Sequence, residues 1–383
     1  MKKFIKISFI TIIVMSFIFS GCNSSVNDTQ KTPAKKTRTT YKTPVNNSTE
    51  EDDNALTQDS SLLPLTLEAI EAGTIYIYEK ENRKLFIQKN DGVIQDAYSI
   101  ITVEPGDKIS FYGYDYIFIN EYHALNIQCT GDCYVYGNVM SLLEFTTFAG
   151  KKEIKKNRAF GELFKDNTKI KNHETLDIVL PATLLTWKCY YKMFYGCTGL
   201  TKVPDLPATS LANACYSYMF SGCTGLTKAP DLPATSLAEG CYSYMFYGCT
   251  GLTTAPDLPA TSLEPGCYAS MFYGCSDLTT APDLPATSLA IRCYGSMFYG
   301  CTSLTTAPDL PAATLAYDCY KTMFKGCSNL NSVTCLATKI TSYTQNWLEN
   351  VSETGTFVKA AGMTSWSSGA SGIPEGWTVV NAN

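Results

Sequence analysis

The sequence predicts a solenoid of stacked coils carried behind a small β-rich domain. Two observations predict it. From about residue 186 the chain repeats every 26 residues, with two cysteine series in register. A fixed period of roughly 20 to 50 residues is the signature of a solenoid. Between about 62 and 150, short strand-like runs alternate with turn signals, the pattern of a small antiparallel sandwich. Composition bounds the rest. The 383 residues, 45% apolar, suffice for two or three packed units. Only 17% are charged and the net charge is −5, which lacks the basic face of a nucleic-acid binder. Two histidines, His123 and His173, leave little for His-based catalysis or His-rich metal sites.

Residues 1–21 read as an export signal. Lys2, Lys3 and Lys6 form a positive start, and Ile7 to Phe19 is an apolar run too short to span a bilayer comfortably. The run ends Phe19-Ser20-Gly21-Cys22. Small residues before a cysteine resemble the bacterial lipobox, although Phe19 stands where Leu is usual. That resemblance implies cleavage before Cys22 and acylation of Cys22, palmitate-type chains included. Several chains give stable anchoring where one is marginal. The alternative is an ordinary secretory signal with an incidental cysteine. Asn23 follows Cys22 rather than the Asp that retains many lipoproteins at the inner membrane, so the outer membrane is the expected address. Residues 22–60 hold almost no large apolar side chain, with a basic block from Lys31 to Lys42 and an acidic one from Glu50 to Asp53. Such a segment cannot offset its chain entropy and is expected to be a solvated tether. As a random coil it reaches roughly 35 Å.

The unit at 62–150 is expected to hold strands at Thr74–Tyr78, Lys84–Ile87, Ile100–Val103 and Lys108–Phe111. Glu104-Pro105-Gly106-Asp107 is a turn, with Pro setting φ and Gly supplying the permissive position. Cys129 and Cys133 are placed at a hairpin turn, where an exported protein favours a local disulfide. A metal site with His123 lacks further ligands.

The repeats occupy 155–340. Cys189, Cys215, Cys241, Cys267, Cys293 and Cys319 form one series, and Cys197, Cys223, Cys249, Cys275, Cys301 and Cys327 the other. Around them runs Cys-Tyr-x-x-Met-Phe-x-Gly-Cys, then Leu, then in most copies Ala-Pro-Asp-Leu-Pro-Ala-Thr. Leu163-Phe164 and Ile170 belong to a degenerate first copy, expected to act as a cap whose outer side faces water. The Leu200, Val203 and Leu206 positions, with the Met, Phe and both Cys series, should point inward. The proline pair flanking Asp-Leu should hold the chain extended and limit ladder bonding.

This pattern resembles bacterial leucine-rich repeats of the BspA-like class, in the 26-residue form found in surface proteins. Its core is Phe194-x-Gly196-Cys197-x-x-Leu200 and each later copy. The resemblance implies a leucine-rich-repeat solenoid of mixed α/β type, short strands alternating with short helical turns. It also implies that residues 341–383, with Trp347-Leu348 and Gly372 to Trp377, close the stack as a C-terminal cap. The unit at 62–150 resembles, more weakly, the leader domain often placed before such repeats.

Three sets of residues are candidates for function. The cysteine series are read first as small buried hydrophobes, with disulfides between paired columns as the alternative and metal binding disfavoured by the spacing. Asp205, Asp231, Asp257, Asp283 and Asp309 would form a row of carboxylates, either solvated or a stripe for a cation or basic partner. Tyr190, Tyr216, Tyr242, Tyr268, Tyr294 and Tyr320 recur in every copy and are read as structural. The patchier Tyr195, Tyr247, Tyr273 and Tyr299, joined by Tyr218 and Tyr244, are the better binding surface, since exposed Tyr is a favoured contact residue. No catalytic group, cofactor or metal is expected.

Family members are often adhesins, so the resemblance implies noncovalent binding of host or bacterial surface macromolecules, protein or glycan. The alternatives are a structural spacer of the envelope without a specific ligand, or carbohydrate binding by the leader domain.

Overall fold

The computed structural model describes residues 58–78, 85–113 and 125–382. The expected export signal, Cys22 and nearly all of the expected tether lie outside the described residues, as does His123. Among the described residues no helix is long and apolar enough to cross a membrane.

Among the described residues the leader holds eight strands: β1 (Leu65–Ala69), β2 (Gly73–Tyr78), β3 (Leu85–Lys89), β4 (Gln95–Asp96), β5 (Ile100–Val103), β6 (Lys108–Gly113), β7 (Asn126–Cys129) and β8 (Cys133–Asn138). One sheet runs β8-β1-β6-β3-β4 and the other β5-β2-β7, antiparallel throughout. Alternation decides which face is buried. Leu65 and Leu67 of β1, Ile109 and Phe111 of β6 and Ile75 of β2 are fully buried in one core. The 104–107 turn closes as expected, with Gly106 at φ +87 and Asp107 N–H donating to the Glu104 carbonyl at 3.0 Å.

The degenerate first coil does not face water on its outer side. Its β9 (Ile170–Asn172) and β10 (Ile178–Val179) add parallel strands to β8. The Ile127 N–H of β7 donates to the Leu163 carbonyl. Asn167, buried where the later coils hold the second cysteine, donates to the Ile127 carbonyl at 3.0 Å. The leader itself thus covers the first coil.

Coils then stack without a slip. The coil that carries Tyr190 donates to the next from alternate residues: Tyr190 to Cys215, Lys192 to Ser217, Phe194 to Met219 and Gly196 to Ser221. The residues between bond three back within their own coil, as Met193 does to Tyr190. Lys188, Lys192 and Gly196 all have positive φ (54°, 54° and 71°). A left-handed residue at every fourth position stops an α-helix from propagating. The expected helical turns are therefore absent, and a ladder of β-turns takes their place. Among the described residues the only helical segments are four short 3₁₀ turns. The mixed α/β expectation is corrected accordingly.

The opposite edge of the coil is extended. Leu206 and Ala208 are buried while Asp205, Pro207 and Thr209 are exposed. Between coils this edge makes isolated parallel bridges, such as Lys228 to Thr254 and Ser210 to Ser236, rather than strands. Prolines supply no N–H to a ladder. The contrast lies at the end of the chain. Ser332–Cys335 carries no proline and forms β11, which pairs in parallel with β12 (Gly355–Lys359), itself paired with β13 (Trp377–Asn381). The tail thus continues the stack with coils of its own.

Both Cys, the Met and the Phe of every full repeat are buried, as are Leu200 and its equivalents to Leu330. Each large apolar side chain removed from water is worth roughly 1.5–3 kcal/mol. Phe164, Phe194, Phe220 and their successors to Phe324 stack at 5.6–5.8 Å between centroids.

Candidate binding surface

The turn ladder also sets which side chains reach solvent. Within each turn the left-handed residue and the residue before the glycine sit on its outer side. In successive coils these positions hold Lys192 and Tyr195, Tyr218 and Ser221, Tyr244 and Tyr247, Ser270 and Tyr273, Ser296 and Tyr299, of which the short Ser221 and Ser270 are buried. Tyr218 and Tyr244 lie with ring centroids 4.4 Å apart and 3° between planes. Tyr244 adjoins Tyr247 at 6.0 Å. Tyr247, Tyr273 and Tyr299 then stack at 4.6 and 4.3 Å. Tyr195 joins through Lys192, whose ammonium lies 5.4 Å from the Tyr195 ring and 5.0 Å from Tyr218. All six tyrosines singled out by sequence therefore form one half-exposed strip, with Tyr247 the most open at 37%. The rings face one another, so solvent meets their edges and hydroxyls. Partial burial, with the adjoining Tyr299, pushes the Tyr273 phenol up to about 12. Near neutral pH it is an uncharged donor and acceptor.

The invariant tyrosines belong to the core. Tyr190 to Tyr320 are at most 2% exposed and stack at 5.7–6.2 Å, between Phe160 at one end and Trp347 at the other. Among the described residues the hydroxyls of Tyr190, Tyr216, Tyr268 and Tyr320 have no hydrogen-bond partner. The cysteine series are free thiols. Burial pushes them up, to about 12 at Cys249 and Cys327. The second series is bonded across coils, each thiol donating to the carbonyl of the preceding coil's Phe at 2.9–3.1 Å, as Cys249 does to Phe220.

Cys129 and Cys133 do not flank a hairpin. Cys129 ends β7 in the three-stranded sheet and Cys133 begins β8 in the seven-stranded one. Both are free thiols where a disulfide was expected. The Cys133 thiol and, at 3.5 Å, the Asn167 amide hydrogen-bond to Cys129 and hold it below the usual thiol value. Asp205, Asp231, Asp257, Asp283 and Asp309 are all exposed on the extended edge. Among the described residues no group of three or more His, Cys, Asp or Glu is placed to hold a metal ion.

A cleft of about 530 Å³ opens over the outer face of the larger leader sheet. Ser110, Gln88 and Tyr112 line its floor, with Phe145 and Phe148 on its wall. The Tyr112 hydroxyl donates to Gln88 at 2.9 Å. Neither this cleft nor the pair Lys188 and Lys192 beside the strip is marked by the repeat pattern, in which Lys325 shows only as a break in the tyrosine column. Comparing the outer positions coil by coil would have found the lysines; the cleft depends on how the 139–150 segment folds back, which no spacing encodes.

The architecture defines a repeat protein with an aromatic strip along one side of its stack. The family model for the BspA type leucine rich repeat region matches in six copies, over residues 163–305 and 239–370, which is more than half of the chain. The chain belongs to that family. No curated protein and no solved structure matches it.

Proposed function

We propose that the chain is a lipoprotein of the bacterial envelope, held through Cys22 in the outer membrane and facing the exterior. Its coils form a leucine-rich-repeat solenoid that binds host or neighbouring-cell macromolecules noncovalently, without catalysis. The tyrosine strip carries this reading. Tyrosine supplies large contact area at little conformational cost, and here the rings are held rigid by one another. The strip is also not demanded by the coil, since Ser221 takes the place of Tyr247 one coil earlier.

The test uses the chain with Cys22→Ser, purified in detergent, and measures saturable binding to matrix proteins, mucin and whole cells. Tyr247→Ser, Tyr273→Ser and Tyr299→Ser together should weaken binding at least tenfold with the thermal midpoint nearly unchanged. Binding indifferent to the triple variant removes the strip from the function. Absence of saturable binding to every surface favours a spacer role.

One observation favours a second reading, saccharide binding by the leader. The cleft combines hydroxyl and amide groups with two phenylalanine walls, as ligand sites do. Tyr112→Ala would then abolish binding that the triple variant leaves intact.

A further inference from the structure

The first full repeat is furnished differently from those that follow. Its outer positions hold Trp187, Lys188, Tyr191 and Lys192, where the next coil has Asn213, Ala214, Ser217 and Tyr218. The backbone does not ask for this. Lys188 and Ala214 share φ near +53 (54° and 52°), and Lys192 matches Ser270 at 54° and 55°. The repeats serve as internal controls: side chains that the fold replaces by Asn, Ala or Ser elsewhere are not required by it.

Their geometry is that of a basic aromatic cluster. The Lys188 ammonium lies 4.6 Å from the Trp187 ring centroid and 4.9 Å from Tyr191. Lys192 lies 5.2 Å from Tyr191 and 5.0 Å from Tyr218. Among the described residues neither lysine has a carboxylate within ion-pair distance. The nearby Arg158, 5.4 Å from the Tyr191 ring, already faces Glu162 at 3.7 Å. Asp166 is the other acid at hand, against Gly196. The wider field agrees. Residues 151–202 hold eleven Lys and Arg against five Asp and Glu, whereas 203–320 hold two against nine.

We infer that this end of the strip binds an acidic polysaccharide, one whose sulfates or carboxylates are spaced out along otherwise neutral sugars. The inference rests on the reading of the tyrosine strip as a binding face. Two unpaired ammonium groups set among four aromatic rings suit a ligand with few charges and broad C–H faces. The charges meet Lys188 and Lys192, the pyranose faces lie on Trp187 and Tyr191, and sugar hydroxyls meet the neutral phenols farther along. A densely charged polyanion fits less well, because the acidic coils after residue 203 repel its continuation.

The experiment titrates the full-length Cys22→Ser chain with a hyaluronan oligosaccharide, whose carboxylated sugars alternate with neutral ones, with neutral dextran and poly-glutamate as comparisons, at about 0.15 M salt. Hyaluronan should bind saturably and dextran should not. Lys188→Ala with Lys192→Ser should weaken binding at least tenfold, as should Trp187→Asn with Tyr191→Ser. All four copy residues that the chain's own later coils carry, so the thermal midpoint should hold. Three results overturn the inference: no saturable binding of hyaluronan, binding unchanged in both variants, or tighter binding of poly-glutamate, which would mean an acidic protein partner. If any of them occurs while cell binding still depends on Tyr247, Tyr273 and Tyr299, this inference fails and the adhesive reading stands.

Discussion

The thiol of Cys223 donates a 3.0 Å hydrogen bond to the carbonyl of Phe194, one coil earlier. That carbonyl also accepts from the Cys197 N–H within its own coil. The cysteine is thus a core residue with a bond to make, and the bond runs along the stack. Cys249→Ala in a middle coil should lower stability by about 1–2 kcal/mol, from the lost bond and the small void. Urea unfolding of the variant beside wild type checks this. No change would mean that the thiol bond contributes nothing.

Thiol reactivity should follow the same geometry. The nucleophile is the thiolate, and burial holds the Cys249 and Cys327 values near 12. Cys129 is half-exposed and sits below its usual value. In the Cys22→Ser chain at pH 8, a thiol reagent should label Cys129 rapidly and the repeat cysteines only on unfolding. Rapid labelling throughout would contradict the packed columns.

Tyr216 is buried with its hydroxyl unpartnered. A buried polar group without a partner is destabilising. Tyr216→Phe should therefore be neutral or raise stability by up to about 1 kcal/mol. Phe160 already occupies the equivalent place in the first coil, stacked on Tyr190 at 5.5 Å. A loss of more than about 1 kcal/mol would point to a buried partner for the hydroxyl.

Trp347 closes the aromatic column. It stacks on Tyr320 at 6.1 Å, meets Phe357 at 6.0 Å and donates from its indole to the Gly372 carbonyl at 2.7 Å. Trp347→Ala should cost about 3–5 kcal/mol and loosen the last coils first. Hydrogen exchange should show amides of 355–381 losing protection before those of 215–275.

Asp107 couples the leader to acid. Its carboxylate accepts the Glu104 N–H at 2.8 Å, pairs with Lys89 at 2.6 Å and accepts from Asn90 at 2.6 Å, which hold it at about 2 against an ordinary 3.8. A depressed carboxylate contributes stability that is complete above its unfolded value and lost as pH falls through its folded one. Asp107→Asn should lower the thermal midpoint slightly at pH 7, and the gap should close between pH about 4 and about 2. A gap that is constant with pH would assign the effect to the turn's hydrogen bonds alone.

Much of this architecture was legible in the residues. A period that never slips from Cys189 to Cys327 placed the inward Met, Phe, Leu and Cys positions, and the one column broken by Ser221 marked the exposed tyrosines. The turn ladder was not legible. Its left-handed residues are Lys188, Lys192, Tyr218 and Ser270 as well as glycines, and only the glycines advertise that conformation. The covering of the first coil by β7 and β8 was hidden too, because the strand pairing of Cys133 with Ile170 joins segments that share no motif. The lysine pair was not legible in the repeat pattern, because a pattern records what the copies share and Lys188 and Lys192 are what the next coil lacks.

The contact between neighbouring coils is the same wherever it is cut: Phe220 meets Phe246 at 5.8 Å as Phe272 meets Phe298 at 5.7 Å, each with a thiol, Cys249 or Cys301, bridging behind. A coil therefore cannot tell which copy precedes it. Duplication or loss of one 26-residue unit within the gene leaves every surviving interface satisfied, so descendants of this sequence can lengthen or shorten the aromatic strip in single steps while both ends, and whatever they do, are inherited intact.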